Sequence, residues 1–339
     1  MGVVVIMKNN YQNWYNDKNK DFIDTKEKIK QCILCATLAP SSHNSQPWEF
    51  IIKGDLIFLR ISNERKLPKS DRFDRELYIS IGCALENFLI AARKLGINPA
   101  YSIDSEKGQV IIDCSRSSNN SDHDLYYSIF ERTTNRNTYF YTESIKKINF
   151  ESLVESECRI NIVDDLVKKQ VLAGITIDAG ITAMKDKGFR QELSRYIKSN
   201  FTSSFTGMPG FGIGIPTPVS FFARYIVKIF NINKITKKVD YKLLTDGTPK
   251  IIVISSQMDN LFGWIKVGMS YERISLTATK YGFSTHPYAA SIEIGDFYKE
   301  VQEFLEINER PQFLFRIGKS VIKTKHSPRL PINNVIKND

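Results

Sequence analysis

Apolar positions across 24–38 recur at helical spacing and end at a run of short polar side chains, 41–46. Two apolar stretches follow at 48–53 and 56–62 and read as strands. A second helical pattern covers 77–95, and a strand is expected at 109–114. Beyond it the periodicity predicts helices over 125–132, 148–155, 164–185 and 189–199. A Gly- and Pro-rich stretch, 206–218, interrupts the pattern, and a strand at 249–255, a helix over 264–283 and a strand at 312–318 complete it. Strands and helices mix without strict alternation, so the expected class is α+β. Residues 219–230 are apolar, with Arg224 and Lys228 four apart, the pattern of an amphipathic helix. The use expected of it is core or lid packing rather than contact with a membrane surface.

The helical pattern contains a repeat. Aligned without gaps, 78–97 and 264–283 match Gly82 with Gly268, Glu86 with Glu272, Ala92 with Ala278, Lys94 with Lys280 and Gly96 with Gly282. Tyr78 falls on Trp264. Each copy closes on glycine, a helix stop. One copy in each half of the chain points to an internal duplication. The expected division is an N-terminal extension at 1–23, a first half at 24–124 and a second half at 125–339.

A chain of 339 residues with 42% hydrophobic content can bury a sizeable core. The formal net charge of +10 changes little, because the lysines scatter and no nucleic-acid motif is present. The short apolar start at 1–8 lacks the basic region of a signal peptide, and no stretch is long enough to span a bilayer. The cytoplasm is therefore the expected location, with no membrane or nucleic-acid partner. Five cysteines argue against a disulfide framework, and the Cys32–Cys35 spacing reads as two core thiols more readily than as a redox pair. No second cysteine pair completes a zinc site, so no metal is expected.

The most informative stretch is 39–50, Ala-Pro-Ser-Ser-His-Asn-Ser-Gln-Pro-Trp-Glu-Phe. Hydroxyls and amides braced by Pro40 and Pro47 make a rigid hydrogen-bonding surface suited to a flat, polyhydroxylated ligand. A second signal is Arg132-Thr-Thr-Asn-Arg136. Spaced two apart in an extended segment, Arg132, Thr134 and Arg136 face one way, and guanidinium groups bind phosphate with paired, charge-assisted hydrogen bonds. The glycines of 206–214 follow no strand and lack the order of a dinucleotide fingerprint, so a cover over a pocket or a plain structural loop is expected there.

The Pro-Ser-Ser-x-Asn-x-Gln-Pro-Trp run resembles the nitroreductase family of flavoproteins. The Arg-Thr-Thr-Asn-Arg run looks like that family's phosphate-holding Arg-x-Ser-x-Arg motif, with Thr for Ser. Ordinary members are homodimers in which each subunit supplies one of these parts to a shared FMN. Here each occurs once, one in each half, which resembles the Acg-like branch: a nitroreductase-like fold, internally duplicated, keeping one flavin site. The resemblance implies FMN contacts at Ser41, Ser42 and Asn44, with Gln46 and Trp48 shaping the loop, and at Arg132, Thr134 and Arg136. It also implies phosphate contacts from Arg329 and Lys325 in the basic C-terminal segment, and a main-chain contact within 286–290. The implied activity is NAD(P)H-dependent reduction of a nitroaromatic, quinone or similar flat small molecule by a monomer. The alternative is a flavin-storing protein whose lid prevents turnover. No catalytic side chain is expected, and His43 is expected to be structural.

Overall fold

The computed structural model describes residues 9–16, 18, 20, 22, 24–118 and 124–337; the apolar start at 1–8 lies outside them. The helices are α1 Thr25–Thr37, α2 Arg75–Lys94, α3 Tyr126–Glu131, α4 Leu166–Ala183, α5 Lys187–Tyr196, α6 Thr217–Ser220, α7 Ala223–Ile229, α8 Asn233–Leu244, α9 Leu261–Lys280, α10 Ala290–Glu293, α11 Phe297–Phe304 and α12 Ile332–Val335. The strands are β1 Trp48–Lys53, β2 Leu56–Ile61, β3 Ala100–Asp104, β4 Gln109–Asp113, β5 Cys158–Val163, β6 Ile197–Lys198, β7 Met208–Pro209, β8 Lys250–Ser256, β9 Ser284–Pro287, β10 Arg310–Gly318 and β11 Ile336–Lys337.

Two sheets flank a central helical layer. One runs β11-β1-β2-β4-β3 and the other β5-β8-β10-β9. All neighbours within them are antiparallel except β11, which lies parallel to β1 with Phe50 opposite Ile336. The C-terminal end of the chain thus joins the sheet built from its first half. The class is α+β with duplicated halves.

The two repeat helices, α2 and α9, pack against each other at the centre. Their contact is reciprocal. A Cβ placed on Gly82 would meet the Ile265 carbonyl oxygen at 2.1 Å, and one on Gly268 would meet the Ile79 carbonyl oxygen at 2.0 Å. Ile79 and Ile265 correspond in the repeat, so residue and counterpart exchange the same contact, as across a two-fold dimer interface. The helix ends repeat as well. Ile97 N–H donates to Ala92 and Phe283 N–H to Ala278, with Gly96 and Gly282 in the left-handed region (φ +76 and +75). Both are Schellman closures, which a glycine makes without a Cβ penalty.

Several expectations are corrected. No helix forms over 148–155. The chain makes two 3-10 turns, Glu143–Lys147 and Glu151–Leu153, because Ile145, Ile148 and Phe150 are each drawn into the main core. The 219–230 pattern is two short helices, α6 and α7, with Phe221 and Phe222 between them. Strands β3, β5, β9 and β11 and helices α8 and α11 lie outside the expected elements.

Candidate functional site

The polar loop leaves α1 and turns back into β1. Asn44 N–H donates to the Ser41 carbonyl and Ser45 N–H to that of Ser42, both at 2.9 Å, and Gln46 N–H donates to the Ser41 hydroxyl at 3.0 Å. His43, Asn44 and Gln46 all have φ near +54. Left-handed backbone at three non-glycine residues costs of order 1–2 kcal/mol at each, less at asparagine, and persists only where the surroundings impose it. Those surroundings come from far along the chain. Asn44 Nδ2 donates to Gly207 and Pro328 carbonyls at 2.9 and 3.1 Å, and Gln46 Nε2 donates to Phe205 at 2.7 Å. Gln46 Oε1 accepts from Leu330 N–H at 2.8 Å.

Opposite the loop, the segment after α3 brings in Arg132, Thr134 and Arg136. Thr134 bridges to Thr285 at the edge of β9, which holds the segment extended. Arg132 is buried. Its Nη2 donates to the Leu38 carbonyl at 3.2 Å and its Nε lies 3.4 Å from a Glu272 carboxylate oxygen without hydrogen-bond geometry. Nε and Nη1 have no hydrogen-bond partner. Arg329 is also buried, donating to Leu38 and Ala39 carbonyls and to Asn44 Oδ1, each at 3.0 Å, while its Nε is unpartnered. Trp14 lies beneath this guanidinium at 4.7 Å and stacks on His326 at 4.0 Å. Two cations crowded out of water depress each other; burial and Arg132 together pull the Arg329 guanidinium well below its ordinary value. Glu272 opposes them only in part, since burial raises its carboxyl to about 7.

Two adjoining cavities, of about 70 and 180 Å3, share Pro40, Ser41, His43, Thr134, Arg136 and Met208 and form one cleft. Asn44, Arg132, Lys325 and Arg329 line the smaller part. Ser42 lines the larger, over an apolar floor of Ile79, Cys83, Tyr271 and Phe313. The Gly- and Pro-rich segment closes over the loop: besides the Gly207 and Phe205 contacts, Arg136 Nη1 donates to the Gly212 carbonyl at 2.6 Å. Asn200 pins this cover, its Oδ1 accepting from Phe211 N–H at 2.6 Å.

No family model matches the chain. A Mycobacterium tuberculosis protein provisionally named NAD(P)H nitroreductase acg is 24% identical over 93% of this chain and 97% of its own. Another chain of that organism with the same provisional activity is 24% identical over 92% of this chain and 91% of its own. The likeness spans both halves of the chain. The chain is thus similar over nearly its whole length to nitroreductase-like proteins of the acg type. Among solved structures, an FMN-bound nitroreductase from Desulfitobacterium hafniense is 14% identical, covers 64% of this chain and 98% of its own, and superposes with a TM-score of 0.40.

In this nitroreductase-like chain, eight of the nine residues singled out from sequence line the one cleft. Gln46 does not. It is fully buried under the loop, with both ends of its amide taken by the chain. Within 286–290, Pro287 and Ala289 line the larger cavity, whereas the His286 ring turns away to accept from Arg316 Nε at 3.3 Å. Sequence reading missed Trp14 and Glu76, which line the smaller and larger cavities, and Glu272, which lies beside Arg132. Only Glu272 had a signal, its match to Glu86 in the repeat. All five cysteines are buried free thiols, and burial pushes the pKa of Cys32 and Cys35 up, so neither is a ready thiolate.

Proposed function

We propose that this protein is an FMN-binding oxidoreductase that takes two electrons from NADH or NADPH and passes them to a nitroaromatic, a quinone or a similar flat acceptor. The observation that carries this reading is the pair of buried guanidinium groups, Arg132 and Arg329, with donors left without partners inside the cleft that the Ser41–Asn44 loop also lines. An unpaired buried cationic donor is costly, and a phosphate fits it. Lys325 and Arg136 would add charge at the anionic end. Thr134 would add a hydroxyl, and Ser41, Ser42 and Asn44 would hold the ribityl and ring portions. When bound, FMN supplies the hydride chemistry. The chain positions it, and Ile79, Tyr271 and Phe313 keep water from the floor. Burial lowers His43 to about 4, which leaves it neutral near pH 7 and fits a structural part.

This reading includes a monomer whose halves divide at 24–124 and 125–339, because one chain supplies both sides of the cleft. A second reading, flavin storage, is favoured by the cover. Its contacts with Asn44, Gln46 and Arg136 leave cavities smaller than the roughly 300–1,000 Å3 of ordinary ligand clefts. The purified protein should be yellow and release FMN on denaturation. A colourless protein that takes up no added FMN would sink both readings. Bleaching of the flavin band by NADPH and its return on adding a nitroaromatic supports turnover. Bleaching by dithionite alone supports storage.

A further inference from the structure

Among the described residues, ten of the 25 exposed large apolar side chains fall between 219 and 241, a small fraction of the chain. They are arranged in rows. In α7, Ala223 and Val227 turn inward to Met184 and Ile197, while Tyr225, Ile226 and Ile229, with Phe222 just ahead of the helix, face solvent. At 100° per residue these four make one continuous arc, and Arg224 and Lys228 border it. In α8, Leu244 is buried. Ile235 and Val239, four apart, are 76% and 60% exposed, and Lys234, Lys238 and Lys242 run beside them at the same spacing. The stretch 223–244 holds six basic residues and one acid, Asp240, which accepts from the Thr236 hydroxyl at 2.6 Å.

Contiguous apolar side chains in water mark a contact surface. The charge decides which kind. A second copy would bring six more cations to the same segment and be repelled. A bilayer with anionic lipid brings the opposite sign. Apolar rows bordered by lysines suit a helix lying in the headgroup layer, with side chains in the acyl boundary and ammonium groups reaching phosphates. No helix of the described residues is long and apolar enough to cross a membrane.

We propose that residues 217–244 dock this protein peripherally on a bilayer surface bearing anionic headgroups. The proposal does not depend on flavin. The test is co-sedimentation of the full chain with vesicles of phosphatidylcholine, alone or mixed with phosphatidylglycerol. The protein should pellet with the mixed vesicles at low salt, less as salt rises, and far less with phosphatidylcholine alone. Phe222→Ser with Ile229→Ser should abolish binding. Lys234→Glu with Lys238→Glu should weaken it at least 25-fold or so, about fivefold for each charge removed. All four side chains are exposed, so melting curves should match the parent. Protein that stays in the supernatant with mixed vesicles overturns the proposal, as does pelleting that both variants retain. A two-chain mass in light scattering, lost in the Phe222/Ile229 variant without any vesicle binding, overturns it in favour of self-association.

Discussion

Arg132 and Arg329 divide the work at one spot, and their hydrogen bonds show how. Arg329 donates to Leu38, Ala39, Asn44 and Pro328 and, at 3.4 Å, to Ser327, so Arg329→Ala should lower the melting temperature as well as ligand affinity. Arg132 makes one such bond and leaves two donors free. Arg132→Ala should therefore weaken FMN binding by about 1.5–3 kcal/mol, read by flavin fluorescence titration, with a smaller change in melting temperature. Glu272 adds a pH dependence. Its folded pKa, about 7, lies above its ordinary 4.5. The acid form is favoured in the fold, so its stabilising contribution is complete below pH 4.5 and is lost as pH rises through 7. Above pH 7 the carboxylate also competes for Arg132. Glu272→Gln should flatten both the fall in thermal stability and the fall in FMN affinity between pH 5 and 8; equal slopes in variant and parent would contradict this. The arginines were legible as a pair of spaced guanidinium groups. That two of Arg132's donors lack partners was not, because it depends on Leu38 and Glu272, which only folding brings near.

At the level of elements, the crossing of α2 and α9 rests on two glycines. A methyl group at Gly82 or Gly268 would strike a backbone oxygen that no rotamer change can move. Gly82→Ala and Gly268→Ala should each destabilise by 1–3 kcal/mol or so in chemical denaturation. The double variant should cost less than the sum, since one separation relieves both contacts. The repeat was legible in the sequence, but the contact between its two copies was not, since a sequence alignment says nothing of which residues touch. The cover is the second element with a testable role. Asn200 lies outside the cleft and holds Phe211 N–H and the Ile215 carbonyl. Asn200→Ala should speed FMN release several-fold in stopped-flow measurements while leaving the denaturation midpoint nearly unchanged.

For the molecule as a whole, the chain closes on itself. β11 pairs with β1 and Val335 is fully buried in the main core. Removing 332–337 should expose the edge of β1 and lower the melting temperature. A truncated protein as stable as the parent would show that this closure is dispensable. The sequence alone determined what is written within a few turns of chain: the polar loop with its prolines, the arginine spacing, the two helices with their glycine stops. Each depends on neighbours a few residues away. Tertiary structure decided what lies between distant segments: that the loop and the arginines share one cleft, that residues 205–212 fasten over it, that the last strand returns to the first sheet, and that an apolar, lysine-bordered face stays in water. Whether a donor finds a partner or a face finds a cover is settled by residues hundreds of positions away, and local pattern carries no record of them.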